Sequence, residues 1–310
     1  MFQELFSLSV VLGILTSGIR LATPYLYAAI GETLGQRSGV LNLGVDGIML
    51  LSAFASYYSL LLTGNLWFAL GTAIIVGGIM GFLMAVISVT LQAEQGISGI
   101  GVYLFGLGLS DLLFQKLVGT VQPVRGFQEV AIPFLADIPY IGEVFFQHNI
   151  LVYGAYIIVP LSWFLLNKTP LGLNIRAVGE NPEAADSLGI KVGRVRYITL
   201  SIGGVLSGIA GASLSIALLN VFQHNLTNGM GFIAVALVYF GGWKPLYVLL
   251  GSLIFSFVNA LQVWVQVLGI PIPSDLAIMM PYILTILVLV VSAQRARAPA
   301  ALTKIYERNQ

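Results

Sequence analysis

Long apolar runs, separated by short polar segments, dominate the sequence. Eight of them have about the 20 residues that a helix needs to cross a bilayer, at 10–31, 40–62, 66–92, 96–118, 149–167, 197–219, 246–268 and 275–293. A ninth run, 230–242, has thirteen residues and would cover only about 20 Å as a helix, so it is a short crossing or a half-helix. The pattern predicts an all-α, polytopic integral membrane protein: about nine transmembrane segments (8–10), including broken or half helices, in a single domain over residues 1–310.

Composition supports the membrane class and excludes several others. Charged residues make up 9% of the chain and hydrophobic residues 57%, whereas soluble domains have roughly 25% charged residues. The net charge of +1 argues against a nucleic-acid partner, which would require a basic surface. The absence of cysteine excludes thiol chemistry, and the two histidines, His148 and His224, lie in separate polar loops, so no metal site is expected.

The basic residues indicate an orientation in the membrane. Five of the 14 lie within 168–196 and four lie in the tail 294–310: Lys168, Arg176, Lys191, Arg194, Arg196, Arg295, Arg297, Lys304 and Arg308. Because positively charged loops stay inside, both regions are predicted to be cytoplasmic. With nine crossings, the N-terminus and the loops 119–148 and 269–273 are then extracytoplasmic, and Lys244 lies in an inner turn.

The predicted outer loop, 119–148, is acidic, with Glu129, Asp137 and Glu143 against Arg125. Three prolines within it exclude one continuous helix. We expect a hairpin or a short helix lying on the membrane surface. Such a loop either receives a partner or only covers the outer ends of the helices.

Arg20 is the most conspicuous charge inside an apolar run, where a charge is costly. Pro24, four residues further on, cannot donate a hydrogen bond to the carbonyl of Arg20 and predicts a kink. Arg20 is therefore a candidate for a structural ion pair, with Glu32 or Asp46 as possible carboxylate partners. The alternatives are a wet cavity or a helix end.

The segment 38–47 is the first candidate for the transport pathway. Asn42 and Asp46 are four residues apart and are predicted to share one helical face. Glycines at 31, 35, 39, 44 and 47 predict broken backbone, which is tolerated at membrane depth only where it is buried in protein or faces water.

Other candidates for contact with a solute lie further along the chain. Tyr103 could stack on a ring of a bound solute, although packing explains a single tyrosine equally well. A polar loop before the short run 230–242 contains Phe222, Gln223, His224, Asn225 and Asn228. If that run is a half-helix, its N-terminal dipole would point toward the cavity.

A further polar set, Asn259, Gln262 and Gln266, recurs along one helix face. Hydrogen bonds between helices explain these amides at least as well as ligand binding does. Both interpretations stay open at the level of sequence.

The long charged segment 176–190 predicts a short helix outside the bilayer. Asn181 is a suitable N-cap, Pro182 fits the first helical position, and Glu183 places a negative charge in the first turn. Gly189 can end the helix in a left-handed conformation. A helix of about seven residues is unstable alone in water, so it must pack against something.

The surface of this helix suggests what it packs against. Ala184 and Ala185, with Leu188 one turn further on, form a small surface suited to insertion into a groove of a partner. The alternative is a cytoplasmic connector that is merely helical.

Two motifs carry a family resemblance that covers about residues 10–293. Residues 179–190 read GENPEAADSLGI, and residues 37–47 read RSGVLNLGVDG. The first resembles the coupling helix of bacterial ABC-importer permeases. The second resembles the early motif of the branch that moves branched-chain amino acids, simple sugars and nucleosides. The combination is most similar to the second permease of lipoprotein-dependent nucleoside importers, and it departs from the family at Gln36, where an acidic residue is expected.

The resemblance implies a function and partners. The chain would be the permease subunit of an ATP-driven importer in a prokaryotic cell membrane, working by alternating access. Its coupling residues would be Gly179, Glu180, Asn181, Pro182, Glu183, Ala184, Ala185, Asp186, Leu188 and Gly189. Its partners would be a second permease, an ABC ATPase that holds ATP and Mg, and a substrate-binding lipoprotein docked on 119–148. This chain would bind no cofactor.

The residues themselves do not identify the substrate, and they leave open one other class of protein. No phosphate-binding loop, nucleophile–base pair or metal-ligand spacing occurs in the sequence, so no enzyme site is predicted. Few intramembrane charges favour a small neutral polar solute, and only the resemblance favours a nucleoside over a sugar or a branched-chain amino acid. A stand-alone secondary transporter or channel remains the alternative from a different class.

Overall fold

The computed structural model describes residues 7–269, 273–293 and 297–307, and it is almost entirely helical. The described helices are α1 (Leu8–Arg37), α2 (Val45–Thr63), α3 (Leu66–Ala85), α4 (Gln95–Leu117), α5 (Ile141–Phe145), α6 (Ile150–Lys168), α7 (Pro170–Glu180), α8 (Pro182–Ser187), α9 (Val192–Ser213), α10 (Met230–Phe240), α11 (Pro245–Val267) and α12 (Ser274–Ala293). The segments Val86–Thr90 and Leu214–Leu218 continue α3 and α9 as π-helical turns. Two strands, β1 (Glu129–Ala131) and β2 (Gln147–Asn149), complete the described elements.

The helices confirm the polytopic all-α prediction. Among the described residues, seven helices are long and apolar enough to cross a membrane, and α12 adds a helix of 20 residues. The short run predicted at 230–242 is α10, with eleven residues, which is about 16 Å of helix. Parts of the predicted loop 269–273 and of the tail 294–310, including Arg295 and Arg308, lie outside the described residues.

Polar caps mark the boundaries of several helices. The side chains of Asn65, Asn149 and Thr169 accept hydrogen bonds from the first turns of α3, α6 and α7. The Glu94 carboxylate does the same for α4, accepting from the N–H groups of Gly96 and Ile97. These bonds hold the pKa of Glu94 below its ordinary value. The local sequence therefore marks where these helices begin.

The core is built around α1, α2 and α9. Helices α2 and α9 are buried on most sides, whereas α3, α4, α6 and α11 expose apolar faces, as helices in contact with lipid do. Glycines allow α3 to lie directly against α9: a Cβ on Gly77 would lie 2.4 Å from the carbonyl oxygen of Gly204, and one on Gly81 would lie 2.5 Å from that of Leu200. Such backbone contact is how small residues drive helix association in membranes.

A buried irregular segment separates α1 from α2. Helix α1 continues six residues beyond the predicted end at 31, to Arg37, and α2 begins at Val45. In the intervening residues 38–44, Ser38, Val40 and Asn42 are almost completely buried. The broken backbone predicted from the glycines is present, and it is enclosed in protein, as membrane depth requires.

The loop 119–148 contains both of the structures that its sequence predicts. Strand β1 pairs with β2 in antiparallel register, Val130 opposite His148, and α5 is a short helix between them. The imidazole of His148 is buried and lies 2.8 Å from the carbonyl oxygen of Val144. Burial lowers the pKa of His148, which keeps the ring neutral in this small folded unit.

Candidate functional site

A cavity of about 350 Å³ lies between α1, α10, α11, α12 and the loop that precedes α10. Its apolar wall comes from Leu226, Met230, Ile233, Phe255 and Pro281. Its polar lining consists of Tyr25, Thr227, Asn228, Asn259, Gln262 and Tyr282. None of the described lining residues carries a formal charge, so the cavity suits an uncharged polar molecule.

Several polar groups in this cavity have no hydrogen-bond partner among the described residues. Asn259 and Gln262 lie three residues apart on one face of α11. Their amides, and that of Asn228, make no side-chain hydrogen bond to any described residue. The ring of Tyr25 packs edge-on against Phe255, with 5.1 Å between centroids. An aromatic wall beside unpaired amides can bind a flat solute that carries donors and acceptors.

Asp46 positions one wall of the cavity without lining it. It is completely buried in the first turn of α2. Its Oδ2 accepts a hydrogen bond from Oγ1 of Thr227 at 2.9 Å, and its Oδ1 accepts one from the N–H of Gly231 at 2.7 Å. The loop and the start of α10 are thereby fixed against α2, and Thr227 and Met230 of that segment line the cavity.

The prediction that Asn42 and Asp46 share a helical face is wrong. Because α2 begins at Val45, Asn42 lies in the irregular segment, where its Oδ1 accepts from the N–H of Gly44 at 2.9 Å. The N–H of Asn42 donates to Glu32 at 3.0 Å. Four-residue spacing implies a common face only within one helix, and the helix starts too late here.

A hydrogen-bonded chain of buried side chains lies beside this irregular segment. The Nε2 of Gln36 donates to Oε1 of Glu32 at 2.9 Å, and the indole of Trp243 donates to Oε1 of Gln36 at 2.7 Å. Trp243 lies in the turn between α10 and α11. Gln36, the residue that departs from the family pattern, therefore joins α1 to that turn through its amide oxygen, while its amide nitrogen bonds to Glu32 within α1.

Arg20 forms an ion pair, but not with either partner suggested by sequence. Its guanidinium lies 2.5 Å from a carboxylate oxygen of Glu129 in β1, with side chains 33% and 56% exposed. Glu32 and Asp46 are buried and satisfied by other groups. Arg20 thus ties α1 to the loop 119–148. A pair this exposed contributes about 0–1 kcal/mol.

The structure places the other pathway candidates outside this cavity. Tyr103 packs edge-on against Phe232 of α10, at 5.0 Å between centroids. Phe222 is fully buried and packs on Phe54 and Phe114, each at 5.3 Å, so it belongs to the hydrophobic core. Gln223 is exposed, and Asn225 is partly buried with φ of 51°.

The polar loop predicted before the short run reaches the cavity through its last residues. Of the loop residues singled out from the sequence, Asn228 lines the cavity, together with its neighbours Leu226 and Thr227, whereas Phe222, Gln223 and Asn225 do not. The first turn of α10 also lines the cavity through Met230 and Ile233. The half-helix interpretation of 230–242 therefore places its N-terminal end at this cavity.

The charged segment contains two helices where the sequence predicted one. Helix α7 was missed, although it begins with the same pattern of a polar cap followed by proline, Thr169 and Pro170. Helix α8 confirms the predicted local structure: Oδ1 of Asn181 accepts from the N–H of Ala184 at 3.0 Å, Pro182 is the first residue, and Gly189 has φ of 86°. It ends at Ser187, one residue before Leu188.

The exposed face of α8 differs from the predicted one. Ala185 is 2% exposed and packs against Ile175, Val178 and Val192 of the same chain. Its side chain supports the fold of α7 and α9 and does not face a partner. Ala184 is exposed, and Leu188 is 82% exposed. Of the predicted surface, Ala184 and Leu188 therefore remain on the outside of the described structure.

The end of α7 is joined to the irregular segment and to the tail. A Cβ on Gly179 would lie 2.0 Å from the carbonyl oxygen of Arg37. The N–H of Ala301 donates to Gly179 at 2.9 Å, and the N–H of Thr303 donates to Gly39 at 3.2 Å. Buried Arg196 donates to the carbonyl of Ser38 at 3.2 Å. A displacement of α7 would therefore act directly on residues 37–39.

Comparison with known proteins agrees with this architecture. The family described as branched-chain amino acid transport system / permease component matches residues 14–289. The chain belongs to this family, and it is therefore a multi-pass permease of the ABC-transporter class. A comparison with solved structures found no match.

The relatives that are similar to this chain are named as permeases for different solutes. "Putative glucose ABC transporter permease protein TsgC13" of Haloferax volcanii is 37% identical over 86% of this chain and 82% of its own length. The guanosine ABC transporter permease NupQ of Bacillus subtilis and the nucleoside ABC transporter permease NupC of Lactococcus lactis are each 35% identical, over 90% of this chain and 92% of their own length. A second guanosine permease of Bacillus subtilis, NupP, is 25% identical over 76% of this chain.

Proposed function

We propose that this permease translocates a nucleoside, and that the cavity between α1, α10, α11 and α12 is its binding site. The observation that carries the proposal is the combination of an uncharged lining, unpaired amides on Asn228, Asn259 and Gln262, and aromatic rings at Tyr25 and Tyr282. A volume of about 350 Å³ lies within the range of sites for small molecules. Amides pair with the edges of a base, and aromatic rings contact its faces.

A sugar is the second candidate, because one relative is named as a glucose permease. A sugar would use the same amides but has no flat aromatic face to place against Tyr25 or Tyr282. The two candidates therefore predict different results for the aromatic residues. Tyr25→Leu should weaken nucleoside transport more than sugar transport, provided that the variant reaches the membrane in normal amounts.

Uptake of labelled guanosine and labelled glucose tests the proposal. The chain should be produced with its cognate transporter subunits in a host that lacks guanosine uptake. Asn259→Leu and Gln262→Leu should each lower guanosine uptake about tenfold or more, since each removes hydrogen bonds worth roughly 1–3 kcal/mol from a desolvated site. Gln266→Leu is the matched control: Gln266 is exposed, on the same helix, and does not line the cavity.

Equal guanosine uptake by wild type, Asn259→Leu and Gln262→Leu would contradict this binding site. Uptake of glucose but not guanosine by the wild type would favour the sugar candidate. Uptake by this chain alone, without ATP, would favour a stand-alone secondary transporter.

We further propose that α8 docks on a separate ABC ATPase, which binds ATP and Mg and drives alternating access. The exposed positions Glu183, Ala184 and Leu188 would form the contact, and Ala185 would keep α8 attached to α7 and α9. Through Gly179 and Arg37, movement of α8 would reach the irregular segment 38–44. The family supports this role, since its members are permease components of transport systems.

Co-purification of an affinity-tagged chain with the ATPase tests the docking surface. Leu188→Asp should abolish co-purification and leave the chain folded, because it places a charge in a contact that must lose water. Phe134→Asp is the control, since Phe134 is equally exposed but lies in the loop 119–148. Normal assembly and transport in Leu188→Asp would contradict the assignment of α8.

The remaining partners complete the proposal. A second permease would form the other half of the pathway, in agreement with the similarity of this chain to two guanosine permeases of one organism, NupQ and NupP. A substrate-binding lipoprotein would dock on 119–148. With the lipoprotein outside the cell and the ATPase inside it, the segment 168–196 and the tail would be cytoplasmic. Labelling of single cysteines introduced at Lys244 and Ser274 with an impermeant reagent tests this orientation: the cysteine at Ser274 should react in intact cells and the one at Lys244 should not.

A further inference from the structure

A second cavity, of about 290 Å³, lies at the end of the molecule that carries α7. Three cationic side chains line it, those of Arg37, Arg176 and Lys244, together with the aromatic side chains of Trp163, Trp243 and Tyr247. It is distinct from the cavity between α10, α11 and α12, and none of the proposed substrate or ATPase contacts uses it.

The positive charge in this cavity is only partly balanced by the protein. Among the described residues, neither arginine nor Lys244 forms an ion pair with a carboxylate. Glu180 is close enough to influence Arg37 electrostatically, but Arg176 is close enough to repel it. The buried Nε of Arg176 has no acceptor in the described structure. Arg37 donates through its Nε to the carbonyl of Trp243 at 3.1 Å, which orients the rest of its guanidinium.

The start of α11 adds to the positive potential. Pro245 and Leu246, the first two residues of this 23-residue helix, line the cavity. Pro245 has no N–H group, and the N–H of Tyr247 donates to the carbonyl of Lys244 at 3.0 Å. The N–H of Leu246 makes no backbone hydrogen bond to a described residue, and such a group at a helix start attracts anions. Two guanidiniums and an ammonium, with this N–H group beside them, therefore lie at one cavity.

The position of the cavity indicates which anion reaches it. It opens where α6 and α11, both long enough to span a membrane, end and begin. Trp163, Leu246 and Tyr247 are exposed at its edge, and the ammonium of Lys244 lies 5.5 Å from the centre of the Tyr247 ring. Tryptophan, tyrosine and lysine in this arrangement are typical of the level of lipid headgroups.

We propose that this cavity binds the phosphate of an anionic phospholipid headgroup. The guanidiniums of Arg37 and Arg176 hold the phosphate oxygens, as planar guanidiniums do in bidentate pairs. Lys244 neutralises the remaining charge, and the acyl chains lie along Trp163 and Leu246. Basic pockets between transmembrane helices are a general means of binding such lipids. Because Arg176 lies on α7 and Arg37 ends α1, the bound phosphate joins these two helices.

Thermal unfolding of the purified full chain in a neutral detergent tests this site. Phosphatidylglycerol should raise the unfolding temperature, whereas phosphatidylcholine, which has no net charge, should raise it much less. Arg176→Gln and Lys244→Gln should each weaken the response to phosphatidylglycerol about tenfold in lipid concentration, as expected for loss of one charge-assisted contact. Arg194→Gln is the matched control, since Arg194 is exposed and does not line the cavity.

The other outcomes separate the possible sources of phosphate. A response to inorganic phosphate at the same concentration as the lipid would overturn the lipid and indicate a site for a free anion. Equal responses to the two lipids, or an equal loss in Arg194→Gln, would overturn the site itself. Lys244 is exposed, so Lys244→Gln keeps the test valid if Arg176→Gln fails to fold.

Discussion

Two groups of polar side chains lie inside the helical part of this permease, and they differ in what surrounds them. Glu32, Gln36 and Asp46 are almost completely buried and hydrogen-bonded to other parts of the chain. Asn259 and Gln262 border a cavity and have no such bonds within the described structure. The sequence shows both groups as polar residues in apolar runs. The difference teaches that a polar residue in a membrane is a candidate for transport only when the protein leaves it unpaired.

The first group has a clear structural task. The irregular segment 38–44 and the first turn of α10 carry backbone N–H groups that no helix carbonyl satisfies. Glu32 accepts from the N–H of Asn42, and Asp46 accepts from that of Gly231. Without these acceptors, the segments would be unstable away from water.

The largest effect on folding is expected for Asp46→Leu. This change leaves the N–H of Gly231 and the hydroxyl of Thr227 buried without an acceptor, at about 1–3 kcal/mol each. The amount of folded chain, measured by size-exclusion chromatography in detergent, should fall sharply. Asp46→Asn is the conservative control and should retain most of the folded chain. Normal folding of Asp46→Leu combined with lost uptake would move Asp46 into the transport group.

A smaller effect is expected for Gln36→Leu. The change removes the acceptor of the Trp243 indole and the donor to Glu32, which should destabilise the chain by about 1–3 kcal/mol. A double-mutant cycle with Trp243→Phe should be non-additive, because the two residues share one hydrogen bond. Additive losses of stability would show that this contact does not contribute.

The smallest effect on folding is expected for Asn259→Leu and Gln262→Leu. Neither side chain bonds to a described residue, so the free energy of unfolding should change by less than about 0.5 kcal/mol, as at other sites without specific contacts. Thermal unfolding of the two variants measures this directly. A loss of unfolding free energy as large as that of Gln36→Leu would indicate that these amides bond to other helices. The distinction between the paired and the unpaired group of polar residues would then be wrong.

Much of the fold follows from local sequence. The apolar runs mark the long helices, and Asn181, Pro182 and Gly189 mark the ends of α8 because caps act on adjacent residues. Local sequence signals do not predict the partner or the orientation of a side chain when a contact with a distant part of the chain determines it. The carboxylate of Asp46 finds its partner 181 residues away in Thr227, and no spacing rule anticipates this. Ala185 faces inward because α7 packs beneath it, and α7 itself was missed.

The candidate site was predicted only in part, for a similar reason. Asn259 and Gln262 were recognised as one helix face, but the sequence could not separate a ligand site from hydrogen bonds between helices. That distinction depends on whether a neighbouring helix fills the space opposite them. The structure leaves about 350 Å³ there, and a volume between helices has no signature along a single chain.

The attachment of residues 301 and 303 to Gly179 and Gly39 has a consequence for how the protein is made. Translation proceeds from the N-terminus, so α7, α8 and the irregular segment leave the ribosome long before these residues do. Until then, the carbonyl groups of Gly39 and Gly179 lack the partners that later cover them. The connection between α7 and the irregular segment is thus completed only after every described helix has been synthesised.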